Sequence, residues 1–262
     1  MAYFAVCLVA FVSAGLTLFS GFGLGTLLLP AFAFFFKIEL AIAATAVVHL
    51  ANNLFKLALV GRAADLDVVA RFAVPGAAAA FVGAWLLGFF SKLAPIGHWS
   101  WGEHTFAILP INLALGALIA GFAWLEVSKH AAELSFGRRW LPLGGAISGF
   151  FGGLSGHQGA LRAAFLLRLG LSRDAYIGTS VVAAVVVDLA RLGVYGSTFL
   201  GRDLATLRDQ GGESLVAAAI AAAWLGSFVG SRLVRSVTLR SVQLLVAAML
   251  VLVAALLAAG LV

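Results

Sequence analysis

The sequence predicts an all-α, polytopic membrane protein of about ten helical segments. They fall into two inverted five-segment repeats, each with a broken or short second helix. Three observations lead there. Hydrophobic residues make up 63% of the 262 positions and charged residues 11%, with a mean hydropathy of +1.08. A soluble domain is about 45–50% apolar and about 25% charged, so too few polar groups remain to coat a water-facing surface. Glycine-rich interruptions cut two otherwise apolar stretches. Finally, the two halves carry matching polar residues at one fixed offset.

Met1 to Phe36 holds no charged residue. One helix of that length would measure about 54 Å, against a hydrocarbon core of about 30 Å. It must break, and Ser20-Gly21-Phe22-Gly23-Leu24-Gly25 is where it breaks. Alternating glycines lack Cβ atoms and tolerate an unwound turn. Segment one is then about 3–19 and segment two about 25–36, too short to span comfortably. Segments three to five fall at about 40–60, 72–91 and 106–125. The pattern resumes at 141–154, is interrupted at Ser155-Gly156-His157-Gln158-Gly159, and continues at about 160–169 and 175–196. The last two segments are about 214–231 and 241–262. Met1-Ala2-Tyr3 has no basic n-region, so the first segment is expected to stay in place. Cys7, the lone cysteine, sits in an apolar stretch and reads as a small membrane-buried side chain.

An offset of 135 residues pairs Ser13 with Ser148, Ser20 with Ser155, Gly21 with Gly156 and Glu39 with Asp174. It also pairs Thr45 with Ser180, Asn53 with Asp188, Lys56 with Arg191 and Gly61 with Gly196. Hydroxyl meets hydroxyl and base meets base inside apolar helices. The expected units are residues 1–126, a cytoplasmic linker at 127–140, and 141–262. Five segments per half give the halves opposite orientations, and inverted repeats with broken helices are a transporter pattern.

The net charge of +6 comes from 17 basic and 11 acidic residues, with no basic run. It reads as topology control and not as a nucleic-acid footprint. With the N-terminus on one side, the opposite side receives Arg62, Arg71, Lys129, Arg138, Arg139, Arg168, Arg173, Arg232, Arg235 and Arg240. The N-terminal side receives Lys37, Lys92, Arg202 and Arg208. The basic side is cytoplasmic by the positive-inside rule, so both termini are expected outside. Trp99, Trp101 and Trp140 fall at segment ends, as an interfacial belt would place them.

Unwound backbone in hydrocarbon is costly unless it is buried in protein or lines a wet cavity. A helix restarting after such a break points free N–H groups and the positive end of its dipole at that cavity, which suits an anion. Ser20, Gly21, Gly23 and Gly25 in the first half and Ser155, Gly156, His157, Gln158 and Gly159 in the second are therefore candidate anion-binding residues. The alternative is that the glycines only permit close helix packing. Thr45, His49, Asn53 and Lys56 lie on one helical face, with Ser180, Asp188 and Arg191 in matching register. Such a stripe should face the protein interior. Lys56 and Arg191 could neutralise an anion or could snorkel towards the interface. Asp188 could pair with Arg191 at i,i+3. His49 and Asp188 are candidates for proton coupling, and Arg162 lies close enough to the second break to matter.

Ser20-Gly21-Phe22-Gly23-Leu24-Gly25 together with Thr45, His49, Asn53 and Lys56 resembles the first half of the TauE/SafE sulfite exporter family. Gly153-Leu154-Ser155-Gly156-His157-Gln158-Gly159-Ala160-Leu161-Arg162 resembles the second-half motif of one branch of it. The resemblance implies a secondary transporter of the bacterial-type cytoplasmic membrane. Its substrate would be sulfite or another small sulfur-containing anion of the sulfonate type. Expected partners are that anion and membrane lipid, with a homodimer also allowed; no nucleic acid, cofactor or metal is expected. An intramembrane hydrolase is disfavoured, because His157 stands where a nucleophile elbow has glycine and no carboxylate is placed to orient a base. A channel, or a cation or metal carrier, stays open as the alternative. A midplane carboxylate cluster would mark the latter, and Asp188 alone is available.

Overall fold

The computed structural model describes residues 2–20, 24–102, 104–128, 136–200, 208, 211–233 and 239–261. Among them are ten α-helices and one two-stranded hairpin. In chain order these are α1 (Ala2–Ser20), α2 (Leu24–Ala33), α3 (Ile38–Val60) and α4 (Leu66–Phe90). Then come β1 (Gly97–Trp101), β2 (His104–Ile108) and α5 (Pro110–Val127). The second half holds α6 (Leu141–Ser155), α7 (Gly159–Leu166), α8 (Arg173–Tyr195), α9 (Gly212–Leu233) and α10 (Leu239–Ala258). By length and apolarity α3, α4, α8 and α9 qualify as membrane spans, and α1, α2, α5 and α10 hold shorter apolar stretches.

Local signals explain the boundaries. The Asp65 carboxylate caps α4 by accepting from the Val68 N–H at 3.1 Å, so α4 begins six residues before the apolar onset at about 72 read from hydropathy. Ser172 caps α8 through the Ala175 N–H at 3.2 Å. Pro110 opens α5, where its missing N–H costs nothing. One short hairpin stands among the helices: Trp99 and Trp101 belong to β1, and α5 starts only after β2, at Pro110 and not at about 106. The Trp99 indole N–H donates to the Ala259 carbonyl at 2.8 Å, pinning the hairpin on the end of α10.

Neither short helix spans. Gly25 at the start of α2 lies against Thr45 and His49 of α3, whereas α3 runs on to Val60. Thus α2 accompanies only the first half of α3. In the second half, Gly144 near the start of α6 touches the Phe165 ring of α7. The α6–α7 pair is therefore a re-entrant hairpin that returns to the end at which it entered.

The helices sort into two bundles plus a pair. In one bundle α1, α2, α3 and α9 pack together; in the other, α6, α7, α8 and α4 do. Advancing each label of the first set by five (α9 cycling to α4) generates the second. Each bundle thus takes three helices from one half of the chain and one from the other. Pair α5–α10 stands beside them, and α3 meets α8 where the bundles join. The helix pairs α3/α8 and α5/α10 are each antiparallel, as opposite orientation of the halves requires. Asn53 bonds Asp188 while Asp65 N–H bonds Thr179 Oγ1, and Gly116 lies on Ala254 while Ala107 lies on Gly260.

Within bundles the contacts are backbone on backbone. In parallel helices α4 and α6, Gly145 sits on the Phe72 carbonyl, Gly149 on that of Gly76 and Gly153 on that of Ala80. In α1 and α9, Gly226 sits on Phe11 and Gly230 on Gly15. A four-residue glycine period puts one Cβ-free face along the seam, which lets helices approach where lipid gives no hydrophobic drive.

Candidate functional site

The starting end of α2 and the α6–α7 turn meet. A Cβ built on Gly25 would lie 3.5 Å from the Gly156 carbonyl oxygen and 3.7 Å from His49 Cδ2. Gly156 has φ +84°, in the left-handed region where only glycine is at ease. A Cβ there would stand 3.1 Å from the Arg191 guanidinium. Gly21, Gly23 and the side chain of Ser20 lie outside the described residues.

Asp188 is the hub of the centre. It is fully buried, and its Oδ2 faces His49 Nδ1 at 2.6 Å. The Asn53 amide donates to the same oxygen at 3.3 Å. Its Oδ1 accepts from Gln158 Nε2 at 2.9 Å and from Arg191 Nε at 3.0 Å and Nη2 at 2.7 Å. One carboxylate thus joins α3, the α6–α7 turn and α8. Asn53 and Asp188, paired by the 135-residue offset, touch each other where α3 meets α8.

Arg191 pairs with Asp188 at i,i+3 and spends its remaining terminal nitrogen on the Gly152 carbonyl at 3.2 Å. It is not snorkelling: 1% of it is exposed. Tyr195 adds a hydrogen bond to the Gly153 carbonyl, so α8 holds the last turn of α6, just before the unwound residues, from two positions. On the turn itself, Gln158 is held on both sides. Its carbonyl accepts from Ser148 Oγ at 2.9 Å and its Oε1 from Arg162 at 3.2 Å.

The other candidates surround this hub. The Ser155 hydroxyl is buried and donates back to the Phe151 carbonyl at 3.1 Å. His157 is buried and stacked on Phe122 of α5, with ring centroids 5.1 Å apart and planes 10° from parallel. Its Nδ1 faces the Ser155 carbonyl at 3.1 Å. A carbonyl can only accept, so Nδ1 carries the proton and Nε2 of the neutral ring is an acceptor. That nitrogen is buried with no partner among the described residues, as is the Thr45 hydroxyl. Lys56 is buried on α3, one turn beyond Asn53. Gly159 opens α7.

Among the described residues the buried formal charges are the cations Lys56, Arg162 and Arg191 and the single carboxylate Asp188. Cations therefore predominate in a low-dielectric centre, where desolvated charge acts strongly. Tyr195 and Phe122 were not among the residues singled out from sequence. Tyr195 lies four residues beyond Arg191 on the same face, which was a usable signal; Phe122 in an apolar helix gave none.

Helical bundles with half-depth helices, and buried ionic groups where they meet, define a polytopic membrane protein with a polar centre. Its family is specific. The family model described as Sulfite exporter TauE/SafE matches residues 4–257, nearly the whole chain, and the protein belongs to that family of membrane transporters. No curated protein and no solved structure matches the chain.

Proposed function

We propose that this protein is a secondary transporter exporting a small sulfur-containing anion, sulfite or a sulfonate, across a cytoplasmic membrane of the bacterial type. One observation carries the reading: the α2 start and the α6–α7 turn lie back to back beside a buried, predominantly cationic cluster. Helix starts offer N–H donors and a positive dipole end, and buried cations supply charge. The repeat units are residues 1–126 and 141–262, with 127–140 as a cytoplasmic linker. Nothing in this mechanism calls for a catalytic residue.

Transport proceeds by alternating access around a fixed central site, driven by an ion gradient or by the substrate's own. The bodies that rock are the two interleaved bundles and not the sequence halves, because α1 is zipped to α9 and α4 to α6. Gly25, Gly156, Gly159, Asn53, Lys56, Gln158 and Arg191 contribute to the site, with Ser20, Gly21 and Gly23 completing its first-half side. Ser155 and His157 support its rim, and His49 and Asp188 serve coupling. Both termini face outside on the ten-to-four basic asymmetry. Membrane lipid surrounds the chain, and a homodimer is compatible with it.

The test is flux in proteoliposomes across sulfite, sulfate, thiosulfate and small sulfonates. Saturable movement of a sulfur anion is expected, and movement of cations alone would contradict the proposal. Cysteine labelling at the C-terminus of intact cells checks orientation: label should enter without permeabilisation.

A further inference from the structure

The donors best placed to hold an anion are already holding one. Arg191, Gln158, Asn53 and His49 all converge on the Asp188 carboxylate. A substrate anion can reach these donors only if Asp188 releases them. An ionised Asp188 left beside an incoming anion would set two like charges side by side in a poorly solvated centre, and like charges disfavour joint ionisation.

We propose that Asp188 is a tethered competitor for the anion site, and that binding of one substrate anion is accompanied by uptake of one proton onto its carboxyl group. The proposal rests on the anion-transport reading above. The proposed route of the proton runs through His49. Asp188 has no exposed side-chain surface, whereas the His49 side chain is 13% exposed and touches it. Nε2 of His49 takes a proton from water as the proton on Nδ1 passes to Asp188 Oδ2. The balance is one proton from solution, one carboxylate converted to carboxylic acid, and His49 still neutral but switched from the Nδ1–H to the Nε2–H tautomer, which a ring flip restores. Neutral Asp188 keeps a weaker bond to one neighbour and frees the guanidinium and amide donors for the anion. Anion and proton then cross together, which ties flux to the proton gradient.

The charged and titratable neighbours are defined. From α3 they are His49 and Lys56, and from the turn and α7 they are His157 and Arg162. On α8 they are Arg191 and Tyr195. Helix α6 carries no ionisable side chain. Those of α4, Asp67 and Arg71, are half-exposed at its far end. Of this set, His49 is the group that combines side-chain exposure with direct contact to Asp188.

The experiment is anion binding to the full chain in detergent or nanodiscs, with sulfate, thiosulfate and methanesulfonate as probes. Their charge does not change between about pH 6 and pH 8, so any pH dependence belongs to the protein. Calorimetry in two buffers of different ionisation enthalpy should give uptake of about one proton per anion, and Kd should rise up to tenfold per pH unit. Asp188→Asn should bind at least as tightly, with a flat pH profile and no uptake. The wild-type proton count needs no variant, so a poorly folding Asp188→Asn leaves the test intact. Wild-type binding without proton uptake, or a pH slope retained in Asp188→Asn, overturns this inference alone. Failure of every probe to bind at any pH overturns the anion-transport reading as well.

Discussion

The seam between α4 and α6 and the seam between α3 and α8 are built from opposite materials. The first is glycine against backbone carbonyl at Gly145, Gly149 and Gly153, with no room for a Cβ. The second joins at its middle through a single carboxylate with donors from several segments. A glycine zipper has no slack, because backbone cannot rotate aside as a side chain can. A polar network can exchange partners, with water or a ligand replacing any member. The contrast assigns rigidity to the bundles and rearrangement to the place where they meet, and substitutions in the two seams should fail in different ways.

The largest effect is expected in the dry seam. Gly149→Leu drives a side chain into the Gly76 backbone. Overpacking costs about 1–3 kcal/mol and more when nothing can yield, so little folded protein should be recovered from membranes. Recovery with wild-type thermal stability would show that the seam has slack. Next comes Arg191→Gln, which strands a buried carboxylate at a cost of about 3–5 kcal/mol. Adding Asp188→Asn should restore much of that loss, and a thermal-melt double-mutant cycle reads the coupling. Additive losses would mean the two residues act independently.

Gly156→Ala should be intermediate. It forces a Cβ into a φ of +84° beside Arg191, a strain of about 1–2 kcal/mol. Anion flux should fall steeply while the protein still purifies. Lys56→Gln should leave stability nearly unchanged, since losing a desolvated cation offsets lost packing, yet reduce flux at least tenfold. Undiminished flux would remove Lys56 from the pathway. The smallest effect belongs to Gly193→Ala, an exposed position on α8 with nothing within reach of a new Cβ. It should be neutral, or stabilise by up to about 1 kcal/mol through helix propensity.

Much of this contrast could be read from the chain. Glycine content located the interruption after Ser155, where the backbone is freest, while the core of the first one, residues 21–23, lies outside the described residues. The stripe Thr45, His49, Asn53, Lys56 followed from helical spacing, and the 135-residue offset paired Asn53 with Asp188, which touch. The hairpin at 97–108 escaped notice because hydropathy averages over a long window and hides the alternation of Gly97-His98-Trp99-Ser100-Trp101. Interleaving of the bundles could not be read, since it depends on which helix packs on which. Still, Gly145, Gly149 and Gly153 recur every four residues and mark a contact face. Arg191 was read both as a substrate cation and as an ion-pair partner. Only side-chain geometry gives its pairing with Asp188, because i,i+3 spacing permits the contact without requiring it.

The most direct measurement of the central claim is an experimental structure of the protein with a bound sulfur anion, such as sulfite or methanesulfonate. The anion should lie between the start of α2 and the Gly156–Gly159 turn, within hydrogen-bond reach of backbone N–H groups from both halves. The Asp188 contacts to Arg191 and Gln158 should be loosened. An anion bound away from both interruptions, with the Gly25–Gly156 contact dry and the Asp188 network intact, would contradict it.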